Sequence, residues 1–175
     1  IVLGGIEASL RRLAHYDFWD DAIRRSILID AKADYILYGM AEKSILALAA
    51  ALDKGEEVDR LHGLCYLDRH VPAGYLELPS FEEVSQDKFA FMRMFHAFYQ
   101  NNDPLTAKGL AQRYGDRYLI QNSPTQYPSQ AELDSYYDLP YQRAQHPFYE
   151  HQGKVRALET IRFSINTQRG CYGEC

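Results

Sequence analysis

The chain has 175 residues, of which 46% are hydrophobic and 25% are charged, and its net charge is −5. This composition predicts a globular protein, and the negative charge argues against a general nucleic-acid binder, which would carry a basic surface. The longest apolar run, Ile45 to Leu52, is much shorter than the ~20 residues of a membrane-spanning helix. We therefore expect a protein of the cytoplasm with no membrane partner. The chain opens inside an apolar run without an initiating Met, so we expect it to be an excerpt from a longer protein.

The first part of the chain alternates strand-like and helix-like patterns, which predicts an α/β layer with a parallel sheet. In chain order we predict a strand over Ile1 to Leu3, helices from about Glu7 and over Asp21 to Ala31, a strand over Ala33 to Gly39, a helix over Glu42 to Asp53 ended by Gly55, and a strand over Leu61 to Leu67. The last of these carries Cys65, for which we expect the role of a small buried residue. Ile1 to Leu3 and Tyr35 to Tyr38 should be neighbouring parallel strands.

The middle of the chain favours helices. Ser80 and Glu83 form a capping-box pattern, which predicts the start of a long helix that runs to about Asn101. Apolar residues recur along it at helical spacing, and we interpret this stripe as core packing. We also predict a short helix over Leu105 to Tyr114 and a strand over Arg117 to Ile120, so that residues 80–120 are mainly helical.

The sequence after residue 120 predicts a domain boundary. Residues 121–159 are rich in Pro and Tyr, and we predict a connector there with a small helix around Ser129 to Tyr137. Residues 160–165 alternate polar and apolar side chains, as a strand does, and lead to the loop that contains Cys171 and Cys175. The predicted organisation is thus an N-terminal α/β and helical region over 1–120, the connector over 121–159, and the truncated start of another domain over 160–175.

Cys171 and Cys175 are separated by three residues, in a segment that also contains Gly170 and Gly173. Glycines allow the tight backbone with which a loop can wrap thiolates around an iron–sulfur cluster. The spacing alone leaves two alternatives open, namely half of a zinc site and a redox-active thiol pair.

Several long motifs resemble one family. The segment from Thr160 to Cys175 resembles the first strand and cluster loop of radical S-adenosylmethionine (SAM) proteins. The stretches from Ile1 to Arg12, from Ala33 to Glu42 and from His146 to Tyr149 are similar to YgiQ-type radical SAM proteins. This resemblance implies a Rossmann-like, cobalamin-binding-like partial sheet with a helical insertion, leading into the first strand of a partial TIM-type barrel.

The resemblance also implies a chemistry. The family's CxxxCxxC pattern makes Cys171 and Cys175 the first two ligands of a [4Fe–4S] cluster, with the third ligand beyond Cys175. In the parent protein the cluster would cleave SAM reductively with an electron from a donor such as flavodoxin or ferredoxin. The resulting radical would abstract hydrogen from a substrate that the resemblance does not identify.

The glycine turns offer a second hypothesis, because ligands of open α/β sheets bind at the carboxyl ends of strands. Gly4, Gly5 and Gly39 follow predicted strands, and Glu42 begins a predicted helix. These four residues are candidate ligand contacts, and loosely resemble those of cobalamin-binding domains. The alternatives are that the chain is a non-catalytic nucleotide- or cobalamin-binding module, or that the glycines only make tight turns in a structural N-terminal domain.

Overall fold

A computed structural model describes residues 1–166 and Arg169. The chain divides into two compact units, Ile1–Ser129 and Gln130–Cys175. None of the helices in the described ranges is long and apolar enough to cross a membrane. Each unit is described separately below.

The first unit is built on a six-stranded mixed sheet. Its strands lie in the order β1, β4, β5, β8, β7, β6. Their bounds are β1 Val2–Leu3, β4 Tyr35–Leu37, β5 Leu64–Asp68, β6 Leu76–Leu78, β7 Leu110–Tyr114 and β8 Arg117–Gln121. A separate two-stranded hairpin joins β2 His15–Asp17 to β3 Ala22–Arg24.

The strand pairings confirm the α/β class and the predicted neighbours. β1 and β4 are parallel, with Val2 opposite Tyr35 and Leu3 opposite Ile36. β6 and β7 are also parallel, whereas β5 pairs antiparallel with both β4 and β8, and β7 pairs antiparallel with β8. The parallel order expected from the alternating pattern therefore holds at the two sides of the sheet, while its centre is antiparallel.

Helices cover both faces of this sheet. They are α1 Gly5–Leu10, α2 Ile27–Asp30, α3 Glu42–Lys54, α4 Phe81–Gln86 and α5 Lys88–Tyr99. Buried side chains of α1, α2, α4 and α5 pack with Ile36 and Cys65 in one cluster. Leu48 of α3 packs with Leu37 and Leu64 in another. Because side chains alternate across a strand, Ile36 and Leu37 belong to opposite faces.

Local sequence explains the ends of two helices. α3 ends at Gly55, whose φ of 67° lies in the left-handed region that glycine adopts without strain. The capping box predicted at the start of α4 is confirmed, since Ser80 and Glu83 exchange the side-chain and backbone hydrogen bonds that define it.

Three helix predictions in this unit were wrong. Asp21 to Ala31 contains β3 and only a short α2, because residues 22–24 pair with β2 in the hairpin. The long helix after Ser80 is two helices, broken where Asp87 takes extended backbone and caps α5 through Phe89 N. Leu105 to Tyr114 is not a helix. Residues 110–114 form β7, which pairs with β8 across a two-residue turn. Residues 80–120 therefore contain two helices, α4 and α5, followed by strand β7 and most of β8, rather than mainly helix.

The second unit contains α6 Gln130–Tyr137, a 3₁₀ helix at Pro147–Gln152 and α7 Leu158–Ile161. The small helix predicted around residues 129–137 is confirmed. The strand predicted over 160–165 is wrong, because the backbone there makes local bonds instead of pairing with a strand: Arg162 N donates to Leu158 O, and Ser164 N donates to Ile161 O.

Candidate functional site

The predicted glycine turns lie at one edge of the sheet. Because β1 and β4 are parallel neighbours, the turns that follow them are adjacent, and a Cβ on Gly4 would lie 3.7 Å from the carbonyl oxygen of Leu37. Gly5 and Gly39 have φ of 88° and 72°, and a Cβ on either would meet nothing within 4 Å. The backbone at both turns is therefore accessible to a ligand, and both positions favour glycine.

The edge is completed by the start of α3 and by α1. Glu42 is the first residue of α3, and Ala41 before it provides no side-chain cap. The amide of Gly39 donates to Ser9 Oγ over 3.3 Å, which connects the second glycine turn to α1. All four residues predicted at the sheet edge, Gly4, Gly5, Gly39 and Glu42, are thus placed at the ends of the elements that the sequence predicted for them.

Sequence reasoning missed a set of polar residues at this edge. β5 begins where β4 and β8 end, since it is antiparallel to both. Ser44 Oγ donates to the carbonyl of His62 over 3.0 Å and lies 2.8 Å from Thr125 Oγ1. His62 Nδ1 lies 2.9 Å from Ser123 Oγ. His62 precedes β5, Ser123 and Thr125 follow β8, and Ser44 lies in α3, so only the strand order brings these groups together.

A buried guanidinium lies behind the edge. Arg12 stacks between the rings of Tyr38 and Phe98, at 4.3 Å and 4.4 Å from their centroids. Its Nε donates to Gln121 Oε1 over 2.9 Å and its Nη2 donates to Asn102 Oδ1 over 3.1 Å. Burial lowers the pKa of Arg12, with the nearby Tyr38 opposing that shift.

The partners of Arg12 show what it does. None of the ion pairs among the described residues involves Arg12. Its Nη1 donates to the carbonyl of Ser9. The guanidinium thus joins α1 to the ends of β4 and β8 and to the segment after α5. We interpret Arg12 as a positioning residue for the sheet edge rather than a ligand contact.

Cys65 is unsuited to binding a metal. It is a free thiol with no exposed surface, as expected for a small core residue. Burial raises the pKa of Cys65 to about 12, with Arg12 opposing the shift, so the thiol stays neutral at physiological pH. The described residues contain no group of three His, Cys, Asp or Glu side chains placed to hold a metal ion.

The predicted cluster ligands Cys171 and Cys175 lie outside the described residues. The described Arg169 contacts two tyrosines of α6, with its guanidinium 5.8 Å from the Tyr136 ring and 5.5 Å from the Tyr137 ring. Two thiolates fit an iron–sulfur cluster by the chemistry of their donor atoms, although a cluster of this type needs a third cysteine.

The chain matches one family model over almost its whole length. Residues 1–164 match the model described as Radical SAM N-terminal. The chain therefore belongs to the N-terminal region family of radical SAM proteins, which confirms the resemblance drawn from its motifs.

Relatives of the UPF0313 group match the entire chain. It is 52% identical over 175 residues to a UPF0313 protein of Fusobacterium nucleatum subsp. nucleatum and covers 31% of that protein. It is 44% identical over 180 residues to one from Clostridium botulinum, covering 28%, and 43% identical over 180 residues to one from Thermotoga maritima, covering 31%. The chain spans less than a third of these relatives. No solved structure matches it.

Proposed function

We propose that this chain is the N-terminal α/β part of a radical SAM enzyme in which Cys171 and Cys175 bind a [4Fe–4S] cluster together with a third cysteine. The observation that carries the proposal is the position of the cysteine pair. The family match ends at residue 164, and the CxxxC spacing of Cys171 and Cys175 follows directly.

The chemistry of the donors supports a cluster over the alternatives. Thiolates bind iron–sulfur clusters and soft metal ions, whereas a structural zinc site would need two further ligands. The described residues contain no group of three or more His, Cys, Asp or Glu side chains placed to hold a metal ion, and the neutral, buried Cys65 is not available as a ligand. A third cysteine three residues beyond Cys175 would complete the family's pattern.

In the whole protein the cluster would supply the electron for reductive cleavage of SAM, which generates a radical that takes hydrogen from a substrate. This chain's part is to hold two of the irons through Cys171 and Cys175. An electron donor such as flavodoxin or ferredoxin would reduce the protein. The substrate would be selected by parts of the protein that this chain does not include.

The test is anaerobic reconstitution of the full-length protein with iron and sulfide, followed by EPR spectroscopy with and without SAM. Cys171→Ala and Cys175→Ala should each lose the cluster and SAM cleavage together. Cys65→Ala is the matched control, because it removes a buried thiol that lies in the core, and it should keep both. A SAM-responsive cluster in either of the first two variants would contradict the proposal, and zinc without iron would favour a zinc site.

The glycine edge supports a second candidate role, the binding of a nucleotide or corrinoid. The specific observation is that the turns at Gly4, Gly5 and Gly39 are adjacent and that space is open beside two of them. Calorimetry of the full-length protein with cobalamin, SAM and adenine nucleotides tests this role. Binding that is lost in Gly39→Val would support it, and the absence of heat with every ligand would leave the glycines a structural role.

A further inference from the structure

An apolar cleft of about 290 Å³ lies on the first unit. Its lining is mainly apolar, unlike the polar sheet edge described above. The segment that leads from α1 into β2 forms one wall, and α5 forms the other. Its lining residues are Leu10, Leu13, Ala14, His15, Tyr16, Phe91, Met94, Phe95 and Phe98. His15 and the Tyr16 hydroxyl are the polar side-chain groups in this lining.

The α5 wall is a series of aromatic rings. Phe95 lies 6.3 Å from Phe91, 6.1 Å from Phe98 and 6.5 Å from Tyr99, measured between ring centroids. Although Phe95 is at the centre of this series, 51% of its surface is exposed. The cleft is therefore built like a packed core on its inner side and is open on its outer side.

The exposed apolar surface extends beyond the cleft. Leu10, the last residue of α1 and part of the cleft lining, is 54% exposed. The β2–β3 hairpin begins at the cleft with His15 and Tyr16, and its turn carries Phe18 and Trp19, whose rings lie 5.3 Å apart. Trp19 is 86% exposed. An exposed apolar cleft with exposed aromatic side chains on the adjoining hairpin is typical of an interaction site.

We infer that this cleft and the neighbouring hairpin turn are the docking surface for the part of the same polypeptide that follows Cys175. The inference rests on the proposed function, in which the chain continues into a catalytic domain. The matched relatives are more than three times as long as this chain, which covers 31% and 28% of two of them, so most of the polypeptide lies outside this structure. Interfaces between domains of one polypeptide typically bury about 600–1,500 Å², and an exposed apolar cleft is the kind of surface that such an interface covers.

The chemistry of the surface favours a protein segment over a membrane. Asp17, Asp20 and Asp21 surround the exposed Phe18 and Trp19, and acidic groups next to the apolar tip oppose binding to anionic lipid. Burial, together with the nearby Arg11, lowers the pKa of His15, so its imidazole is neutral at physiological pH and can be covered without burying a charge. The matching segment should therefore present apolar side chains to α5.

The test is photo-crosslinking in the full-length protein. A benzophenone-bearing phenylalanine analogue is placed at Phe95, and in a control protein at Leu46, which is 70% exposed on α3 and lies outside the cleft. The protein is used without iron reconstitution, so the result does not depend on the cluster. We expect the Phe95 probe to give intramolecular crosslinks to peptides beyond Cys175, and the Leu46 probe to give none.

The other outcomes overturn the inference. Crosslinks between two chains would assign the cleft to a second copy, crosslinks only to residues 130–166 would assign it to the second unit, and no crosslink would leave it uncovered. Iron content and EPR after reconstitution are measured separately, so failure of the docking surface and failure of the cluster assignment are distinguishable.

A second measurement uses smaller changes. Leu10→Ala should raise the rate of proteolytic cleavage in the predicted connector over 121–159 by about ten-fold, which corresponds to ~1.4 kcal/mol of lost interface free energy. Leu46→Ala is the matched control and should leave that rate unchanged. Equal rates in the two variants would contradict docking at Leu10.

Discussion

The two units of the chain differ in where their side chains lie. The first unit buries an apolar core on both faces of a six-stranded sheet, whereas none of the described residues from 130 onward is buried. The second unit is not poor in apolar residues, since it contains Leu139, Phe148, Ile161 and Phe163, all more than half exposed. Apolar content alone therefore does not produce a core.

The difference lies in the range of the interactions. Strands of the first unit join distant parts of the chain, such as Cys65 and Gln121 across β5 and β8. Most of the bonds described in the second unit are local, such as Ile161 N to Ala157 O and the Tyr141 hydroxyl to Tyr136 O. The contact of Arg169 with Tyr137 is a longer-range one. Long-range pairing creates surfaces that side chains can cover, while short helices leave most of their surface exposed.

The largest expected effect is a direct test of this comparison by one substitution in each unit. Leu64 in β5 is fully buried and Leu139 is 55% exposed. Leu64→Ala should lower the free energy of unfolding of the first unit by about 2–5 kcal/mol, because it leaves a cavity in the core. Leu139→Ala should change it by less than about 0.5 kcal/mol. Hydrogen exchange at the β5 and β8 amides in the full-length protein measures both.

Similar losses from the two leucine substitutions would contradict the comparison. A large loss for Leu139→Ala at these amides would show that the stability of the first unit depends on Leu139. No loss for Leu64→Ala would mean that the sheet centre is not the stable part of the first unit.

Arg12 provides the next test, because its contacts are the longest-range polar ones described for the first unit. Arg12→Lys keeps the charge but loses the planar group that stacks on Tyr38 and Phe98 and donates to Gln121 and Asn102. We expect a loss of about 2 kcal/mol or more in the same exchange measurement, from cation–π contacts and hydrogen bonds to a charged group. Arg12→Met should also destabilise, because it leaves the Gln121 and Asn102 oxygens without this donor. A methionine variant as stable as the wild type would show that neither contact matters.

A smaller loss is expected from Gly109→Ala. A Cβ at Gly109 would overlap the ring of Tyr75, whose hydroxyl donates to Asn122 Oδ1 over 2.7 Å. We expect about 1–3 kcal/mol of destabilisation by overpacking. Gly74→Ala is not an equivalent control, because Gly74 has a φ of 86° and would add backbone strain. The double-mutant cycle with Tyr75→Leu isolates the clash, and additive losses would contradict it.

Local patterns predicted the parts of this fold that local interactions determine. Gly55 after α3 and the Ser80–Glu83 pair before α4 mark helix ends through bonds within a few residues. Strand β7 was not predicted, because the local pattern over residues 105–114 favoured a helix. β7 instead forms through its pairing with β6 and β8. A turn pattern was nevertheless present: Gly115 and Asp116 separate two strand-like segments, and Gly115 has a φ of 62°.

The candidate site was predictable only in part for the same reason. Gly4, Gly5 and Gly39 could be placed because each follows a predicted strand, and adjacent parallel strands bring their ends together. His62, Ser123 and Ser44 could not, because their meeting depends on β5 lying antiparallel between β4 and β8. Parallel order was expected there, and it would have separated these residues.

The smallest expected effect is on a local contact inside the first unit, and it tests how little such contacts contribute there. Ser80→Ala removes the hydroxyl that accepts from Glu83 N over 3.2 Å and should cost about 1 kcal/mol. Ser85→Ala is the matched control, because Ser85 is exposed within α4 and only donates to the carbonyl of Glu82.

Hydrogen bonds from the Ser80 side chain and backbone lower the pKa of Glu83 below its usual 4.5. A lowered folded-state pKa adds stability that is present above pH 4.5 and is lost as the pH falls through the folded value. The advantage of the wild type over Ser80→Ala should therefore shrink on acidification below pH 4.5, while the small Ser85→Ala difference stays constant. Urea unfolding at a series of pH values measures both, and an advantage that grows with acidification would contradict the capping box as its source.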